Sequence, residues 1–257
     1  HIRGETHQAA GGAALYTALA AHCAGADAAL FAPRPKPMHP LLAPIEARTS
    51  WIGPVVQPRE LPRLEIEHHG GGQATLLSAA WGAEEAMRPA QLPDDLTAYD
   101  AVHIAALGTA QRQLDFLRGC RARGARRISV GTYARVVYGE TDAVRALLQA
   151  ADLFFMNENE AKGLFGSVEA AQCAPGKLLF VTRGERGARV LVGDSVLDVE
   201  AAPALEIDPT GAGDTFCGAT LAHLARGEQP VAAAREAVKF AALTLSQVGP
   251  GGLLAVR

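Results

Sequence analysis

The sequence predicts an α/β protein: a mostly parallel sheet covered on both faces by helices, with a small β excursion. Three observations carry that reading. Residues 99–156 alternate strand, helix, strand, helix, strand with short connections, the pattern of parallel strands joined by crossover helices. After residue 176, three short apolar runs broken by glycines give way to two helical stretches. Residues 33–95 are proline-rich and lack long periodic segments, so they do not fit a slab of the same sheet. The expected organisation is a main domain of residues 1–32 and 96–257, with 33–95 as a lid or flap.

The elements follow in order. Gly11 to Ala32 is alanine-rich and interrupted by His22 and Asp27, which reads as a buried or amphipathic helix plus a strand and not as a membrane span. Within the excursion, Leu64–Glu67 and Ala74–Leu77 are candidate strands, and His68-His69-Gly70-Gly71-Gly72 reads as a solvated turn, with reach to a sugar as the alternative. Tyr99–Ile104 is a short strand. Ala110–Arg123 is a helix with Leu114, Leu117 and Cys120 (or Arg121) at three- and four-residue spacing, stopped by Gly124. Arg127–Val130, Thr141–Ala151 and Asp152–Met156 supply the next strand, helix and strand. Lys177–Thr182 is a further strand, and Arg189–Val192 with Val196–Val199 fits a hairpin at the sheet edge. Two helices close the chain, Gly213–Arg226 and Val231–Gln247, stopped by Gly227 and by Gly249-Pro250.

Composition narrows the function classes. With 257 residues, 49% of them hydrophobic and 20% charged, the chain can bury a sizeable core and is not a disordered polymer. A net charge of −3 offers no broad basic surface, so neither nucleic acid nor an anionic membrane is an expected partner. Four well-separated cysteines (Cys23, Cys120, Cys173 and Cys217) form no Cys-x-x-Cys pair and fit a reducing cytoplasm. The chain opens on His1 and shows no signal peptide.

The most informative segment is Glu206-Ile207-Asp208-Pro209-Thr210-Gly211-Ala212-Gly213-Asp214-Thr215-Phe216-Cys217-Gly218. A strand ends, a glycine turn follows and a helix begins. Glycines let backbone N–H groups converge, and the unpaired donors of a first helical turn add a positive end. That combination binds phosphate, or charge developing in a transition state. Asp214 sits in the same turn, where a carboxylate would repel a resting phosphate. It makes sense as a general base that deprotonates a hydroxyl beside the phosphate it attacks; the alternative is a plain helix cap. A Walker A loop is absent, because Gly176-Lys177 is followed by leucine. A dinucleotide fingerprint fails at Phe216, where a third glycine is needed, and Glu228 falls in a turn and not at a strand end.

Asp208 to Ala219 closely resembles the C-terminal signature of the ribokinase (PfkB) family of carbohydrate and nucleoside kinases. Gly11-Gly12-Ala13-Ala14 resembles the family's glycine pair that opens the first helix beside the sugar. Asn157-Glu158-Asn159-Glu160 resembles its Asn-x-x-Glu motif, and Val181–Ala188 its strand and turn beside the nucleotide. The resemblance is firm over residues 99–250 and looser over 1–98. It implies a ribokinase-like three-layer α/β/α sandwich with a small β lid, and an ATP-dependent kinase acting on a hydroxyl of a sugar or sugar-like small molecule. The alternatives are a nucleoside kinase of the same fold and a non-catalytic sugar- or nucleotide-binding relic.

The implied roles are as follows. Asp214 is the base, and Gly211, Ala212 and Gly213 form the anion hole. Gly11 and Gly12 lie with Asp214 at the acceptor. Asn157 and Glu160 act on Mg²⁺, partly through water. Asn157, Thr182, Gly184, Gly187, Ala241 and Ala242 approach the ATP. Asp208, Thr210, Thr244, Gln247 and Gly249 match the positions around a monovalent cation such as K⁺. Departures fall mostly on the acceptor side: no strand carrying the family's substrate aspartate precedes Gly11, Tyr16 stands where an asparagine is usual, and Gly131 stands where an aspartate is common. An edge of the lid could pair with a second copy, so a homodimer is compatible with the sequence.

Overall fold

A computed structural model of the chain describes residues 1–2, 4–70 and 73–256. The chain folds into two compact units. One comprises His1–Gln91, Ala202–Ala222 and Lys239–Arg257; the other comprises Leu92–Ala201 and His223–Val238. Residues 1–32 and the two C-terminal stretches thus fall in the same unit as residues 33–91 of the excursion, and residues 92–95 fall in the other.

The second unit holds the sheet. Strands Val102–Ile104, Ile128–Gly131, Leu153–Asn157 and Leu178–Thr182 pair in parallel, and Ala188–Val192 and Ser195–Val199 add an antiparallel hairpin at one edge. Leu153–Met156 and Leu179–Val181 are buried without alternation, the signature of parallel strands covered on both faces. Helices Ala110–Ala122, Thr141–Ala150 and Glu158–Phe165 occupy the connections. Leu114, Leu117 and Cys120 face inward as their spacing predicts. Thr109 caps the first of these helices through its side chain, accepting from the Arg112 N–H at 3.2 Å. A short helix, Ala134–Gly139, was not expected.

The first unit contains the N-terminal helix Ala13–Cys23, whose residues Leu15–Ala20 are all buried. It is a buried helix, not an amphipathic one. Tyr16 and Leu19 pack with Ala10, Ile45 and Leu253 in one core cluster. The excursion builds a hairpin from Arg63–Gly70 and Gln73–Ala80, longer than the two candidate strands, with a bulge between Glu65 and Ile66. Of its residues up to Gly70, only Ile66 and His68 are partly buried. Gly71 and Gly72 of the expected turn lie outside the described residues. His68 departs from the solvated turn: its side chain is only 10% exposed. No helix among the described residues is long and apolar enough to cross a membrane.

Candidate active site

The glycine turn and its carboxylate lie in the first unit. The helix Ala212–Ala225 begins one residue earlier than its sequence suggested. Gly211 precedes it with φ 78°, a left-handed conformation that favours glycine. Space demands glycine there as well, since a Cβ would lie 2.4 Å from the ring of Tyr16. Two helices meet in this unit without side chains between them: a Cβ on Gly218 would lie 2.0 Å from the Thr17 carbonyl oxygen. Nearby, the Thr17 hydroxyl donates to the Asp214 carbonyl at 3.2 Å. The helix opened by Gly11 and Gly12 therefore packs directly against the helix of the anion turn. Gly11 and Gly12 themselves are exposed, with open space where side chains would project.

Asp214 occupies the third position of its helix. Its carboxylate has no protein hydrogen-bond partner among the described residues. It is partly open to solvent but crowded by protein atoms, and this desolvation pushes its pKa up to about 7. A carboxylate poised there can be ionised at neutral pH and still accept a proton, which is what a general base requires. Desolvation also raises the pKa of the buried Tyr16 phenol, followed by the charges of Asp208 and Asp214. Its hydroxyl is buried without a partner.

Asp208 organises the preceding loop. Its Oδ1 accepts from the Thr210 N–H at 2.9 Å and its Oδ2 from the Gly249 N–H at 2.8 Å. The Ile207 and Asp208 N–H groups donate to the Leu245 carbonyl. Three of the residues matched to a monovalent cation therefore belong to one hydrogen-bonded pair of loops, Asp208, Thr210 and Gly249, while Thr244 lies in the helix Pro230–Leu245. The Thr244 hydroxyl is engaged internally, with Thr215 at 2.9 Å. Gln247, the fifth, is exposed.

In the second unit, Asn157 ends its strand and caps the helix Glu158–Phe165. Its Oδ1 accepts from the Glu160 N–H at 2.9 Å, while Glu160 accepts from the Asn157 N–H at 2.9 Å and from the Asn157 side-chain amide at 2.7 Å. This reciprocal capping box leaves Glu160 only 4% exposed. Thr182 lies opposite Asn157 on the neighbouring strand. Gly184 and Gly187 both take positive φ. A Cβ on Gly187 would meet the Val199 carbonyl oxygen at 2.0 Å, so packing alone accounts for that glycine. Ala241 and Ala242, in the first unit, are half-buried and not sealed in core.

Sequence reasoning missed His68. Its Nε2 lies 3.0 Å from Thr210 Oγ1 and 3.5 Å from Asp208 Oδ1. The His-His pair was visible, but no local pattern says that one of the two reaches a loop 142 residues away.

A family model described as pfkB family carbohydrate kinase matches residues 2–255. The chain belongs to this family. Among curated relatives, ribokinase of Bacillus subtilis is 38% identical over 104 residues, 39% of this chain and 35% of that protein. Cytidine kinase of Thermococcus kodakarensis is 27% identical over 187 residues, 68% of this chain and 65% of that protein. Inositol 3-kinase of Zea mays is 32% identical over 171 residues, 63% and 43% respectively. The matches thus span between 35% and 65% of these relatives' lengths. Among solved structures, the adenosine kinase of Sinorhizobium meliloti superposes with a TM-score of 0.80 at 22% identity, covering 96% of this chain and 81% of that one. The fructokinase of Vibrio cholerae, solved with fructose, ADP and calcium ion, gives 0.74 at 20% identity, covering 99% and 93%. These likenesses establish the ribokinase-type α/β fold.

Proposed function

We propose that this pfkB-family chain is an ATP-dependent phosphotransferase acting on a hydroxyl of a sugar or sugar-like small molecule. One observation carries the reading: a carboxylate without a protein partner, its pKa raised to about 7 by desolvation, stands in the first turn of a helix that opens on a positive-φ glycine. In that role Asp214 takes the proton from the acceptor hydroxyl as its oxygen attacks. The N–H groups of Gly211 and Gly213 face the charge that builds on the phosphoryl oxygens, joined by that of Ala212 if it turns from its 3.3 Å bond to the Pro209 carbonyl. Gly11 and Gly12 leave room for the acceptor beside the helix of Asp214. ATP supplies the phosphoryl group, and phosphoryl transfer needs mainly positioning and charge neutralisation from the protein.

Thr182, Gly184, Ala241 and Ala242 are proposed to approach ATP, with Gly187 holding the turn that shapes its edge. Mg²⁺ is assigned to Asn157 and Glu160. Among the described residues no group of three or more His, Cys, Asp or Glu could hold a metal ion, and both Glu160 oxygens already serve Asn157. The pair therefore suits an ion that keeps its hydration shell and is contacted through water. The loops tied by Asp208 would hold a monovalent cation through backbone carbonyls.

A nucleoside acceptor is the second reading. It is favoured by the likeness to the cytidine and adenosine kinases. Transfer from ATP to a panel of sugars, polyols and nucleosides, with product identified by mass spectrometry, decides between them. Phosphorylation of a sugar or polyol supports the main reading, a nucleoside product supports the second, and no product from any acceptor refutes both.

A further inference from the structure

We propose that His68, carried on the lid hairpin, is a positioning residue for the anion-binding turn: it sets the geometry of residues 208–213 from outside their own segment. Four observations support this. The hairpin is otherwise a solvent-facing ribbon, with Leu64, Leu76 and Leu77 between 44% and 49% exposed, yet the His68 side chain is nine-tenths buried. Its Nε2 approaches both Thr210 Oγ1 and Asp208 Oδ1. Asp208 is itself the group that ties Thr210 to Gly249. The backbone of His68 is fixed independently, its N–H donating to the His1 carbonyl at 2.9 Å, so the ring is held from behind while it meets the turn.

The chemistry favours this over incidental burial. In the tautomer with its proton on Nε2, the ring donates towards the Asp208 carboxylate oxygen, with the Thr210 hydroxyl within reach of the same N–H. The other nitrogen, Nδ1, is then an acceptor, and among the described residues it is buried without a partner. A buried orphan acceptor costs free energy that an apolar side chain in its place would not. That cost is offset only by what Nε2 does at the turn. Thr210 is the residue immediately before Gly211, so its side chain is the last handle on the loop before the glycine–alanine–glycine run, which offers none beyond a methyl.

Two readouts separate positioning from mere anchoring of the hairpin. The first is hydrogen exchange at the amides bonded within the turn and first helical turn: Thr210 to the Asp208 carboxylate, Ala212 to the Pro209 carbonyl and Thr215 to the Gly211 carbonyl. In His68→Ala these amides should exchange at least about tenfold faster, while those of Ala110–Ala122 stay unchanged. His68→Gln, which keeps a side-chain N–H donor, should return them to within about threefold of wild type. Thr210→Val, which removes the hydroxyl partner, should loosen the turn in the same direction, so the comparison survives if His68→Ala fails to fold. The second readout rests on the phosphotransferase reading: kcat should fall at least about tenfold in His68→Ala with acceptor KM within about threefold, and recover in His68→Gln.

Faster exchange confined to residues 63–80, with the turn amides and kcat unchanged, would overturn the inference and reduce His68 to an anchor. So would failure of both His68→Gln to restore and Thr210→Val to disturb the turn. If the wild-type chain transfers no phosphate to any acceptor, the functional reading fails, and the exchange experiment still decides the role of His68.

Discussion

Two carboxylates stand at the same position of two different helices, and the protein treats them in opposite ways. Glu160 is the third residue of Glu158–Phe165, and Asp214 the third of Ala212–Ala225. At the first helix the capping residue is Asn157, so the carboxylate folds back onto it and both of its oxygens are engaged. At the second the capping position is Gly211, which has no side chain, and the Asp214 carboxylate has no protein hydrogen-bond partner among the described residues. A capping box consumes a carboxylate to stabilise a helix end; a glycine cap gives up that stability and leaves the carboxylate free and desolvated. The difference is one residue, three positions upstream, and it separates a carboxylate held in a helix cap from one left outside it.

The largest expected effect comes from removing the free member. Asp214→Asn keeps the shape but cannot take a proton, so turnover should fall on the order of 10²–10⁴-fold while ATP affinity holds or rises. Because the folded-state pKa is raised, the ionised carboxylate weighs against folding. Stability is greatest where both folded and unfolded states are protonated, below about pH 4, and is lost as pH rises towards about 7. The Asn variant should therefore melt no lower than wild type at pH 8, and calorimetry at pH 4 and 8 checks the sign. A variant that melts well below wild type at pH 8 would make Asp214 a structural residue.

Giving the glycine cap a side chain is the next test. Gly211→Ala places a methyl against the Tyr16 ring and strains a positive-φ residue, at a cost of roughly 1–3 kcal/mol. The melting temperature should drop and turnover with it, whereas unchanged melting would mean that the ring yields freely. The smallest effect is expected at the closed carboxylate. Glu160→Ala breaks the box and should cost about 1 kcal/mol in denaturant unfolding. Glu160→Gln can keep the box and should leave stability nearly intact while weakening the Mg²⁺ dependence of turnover. An unchanged Mg²⁺ titration in Glu160→Gln would assign Glu160 to the helix cap alone.

The same contrast explains how much the sequence disclosed. Asn157 and Glu160 could be placed at the end of a central strand because they resemble a local Asn-x-x-Glu motif, and the parallel strands could be read because they are continuous apolar runs bounded by glycine and polar turns. The Asp208–Asp214 signature is equally local. What stayed hidden depends on distant pairs: the Tyr16 ring that demands glycine at 211, the crossing of Thr17 with Gly218, and His68 against Thr210. The short helix Ala134–Gly139 carries too few turns to show a period. The grouping of residues 1–32 with residues 33–91 follows from packing between segments far apart in the chain, which periodicity does not record.

The central claim is that Asp214 is a free, desolvated base that works as its carboxylate. The pH dependence of kcat/KM for wild-type enzyme with ATP and its best acceptor tests this most directly. The rate should rise with unit slope as pH increases and level off near pH 7, where Asp214 loses its proton, and Asp214→Asn should lack that bend. A wild-type profile that is flat from pH 5 to pH 8 (roughly the span over which such a base would titrate), or a bend near pH 7 that persists in Asp214→Asn, would contradict it.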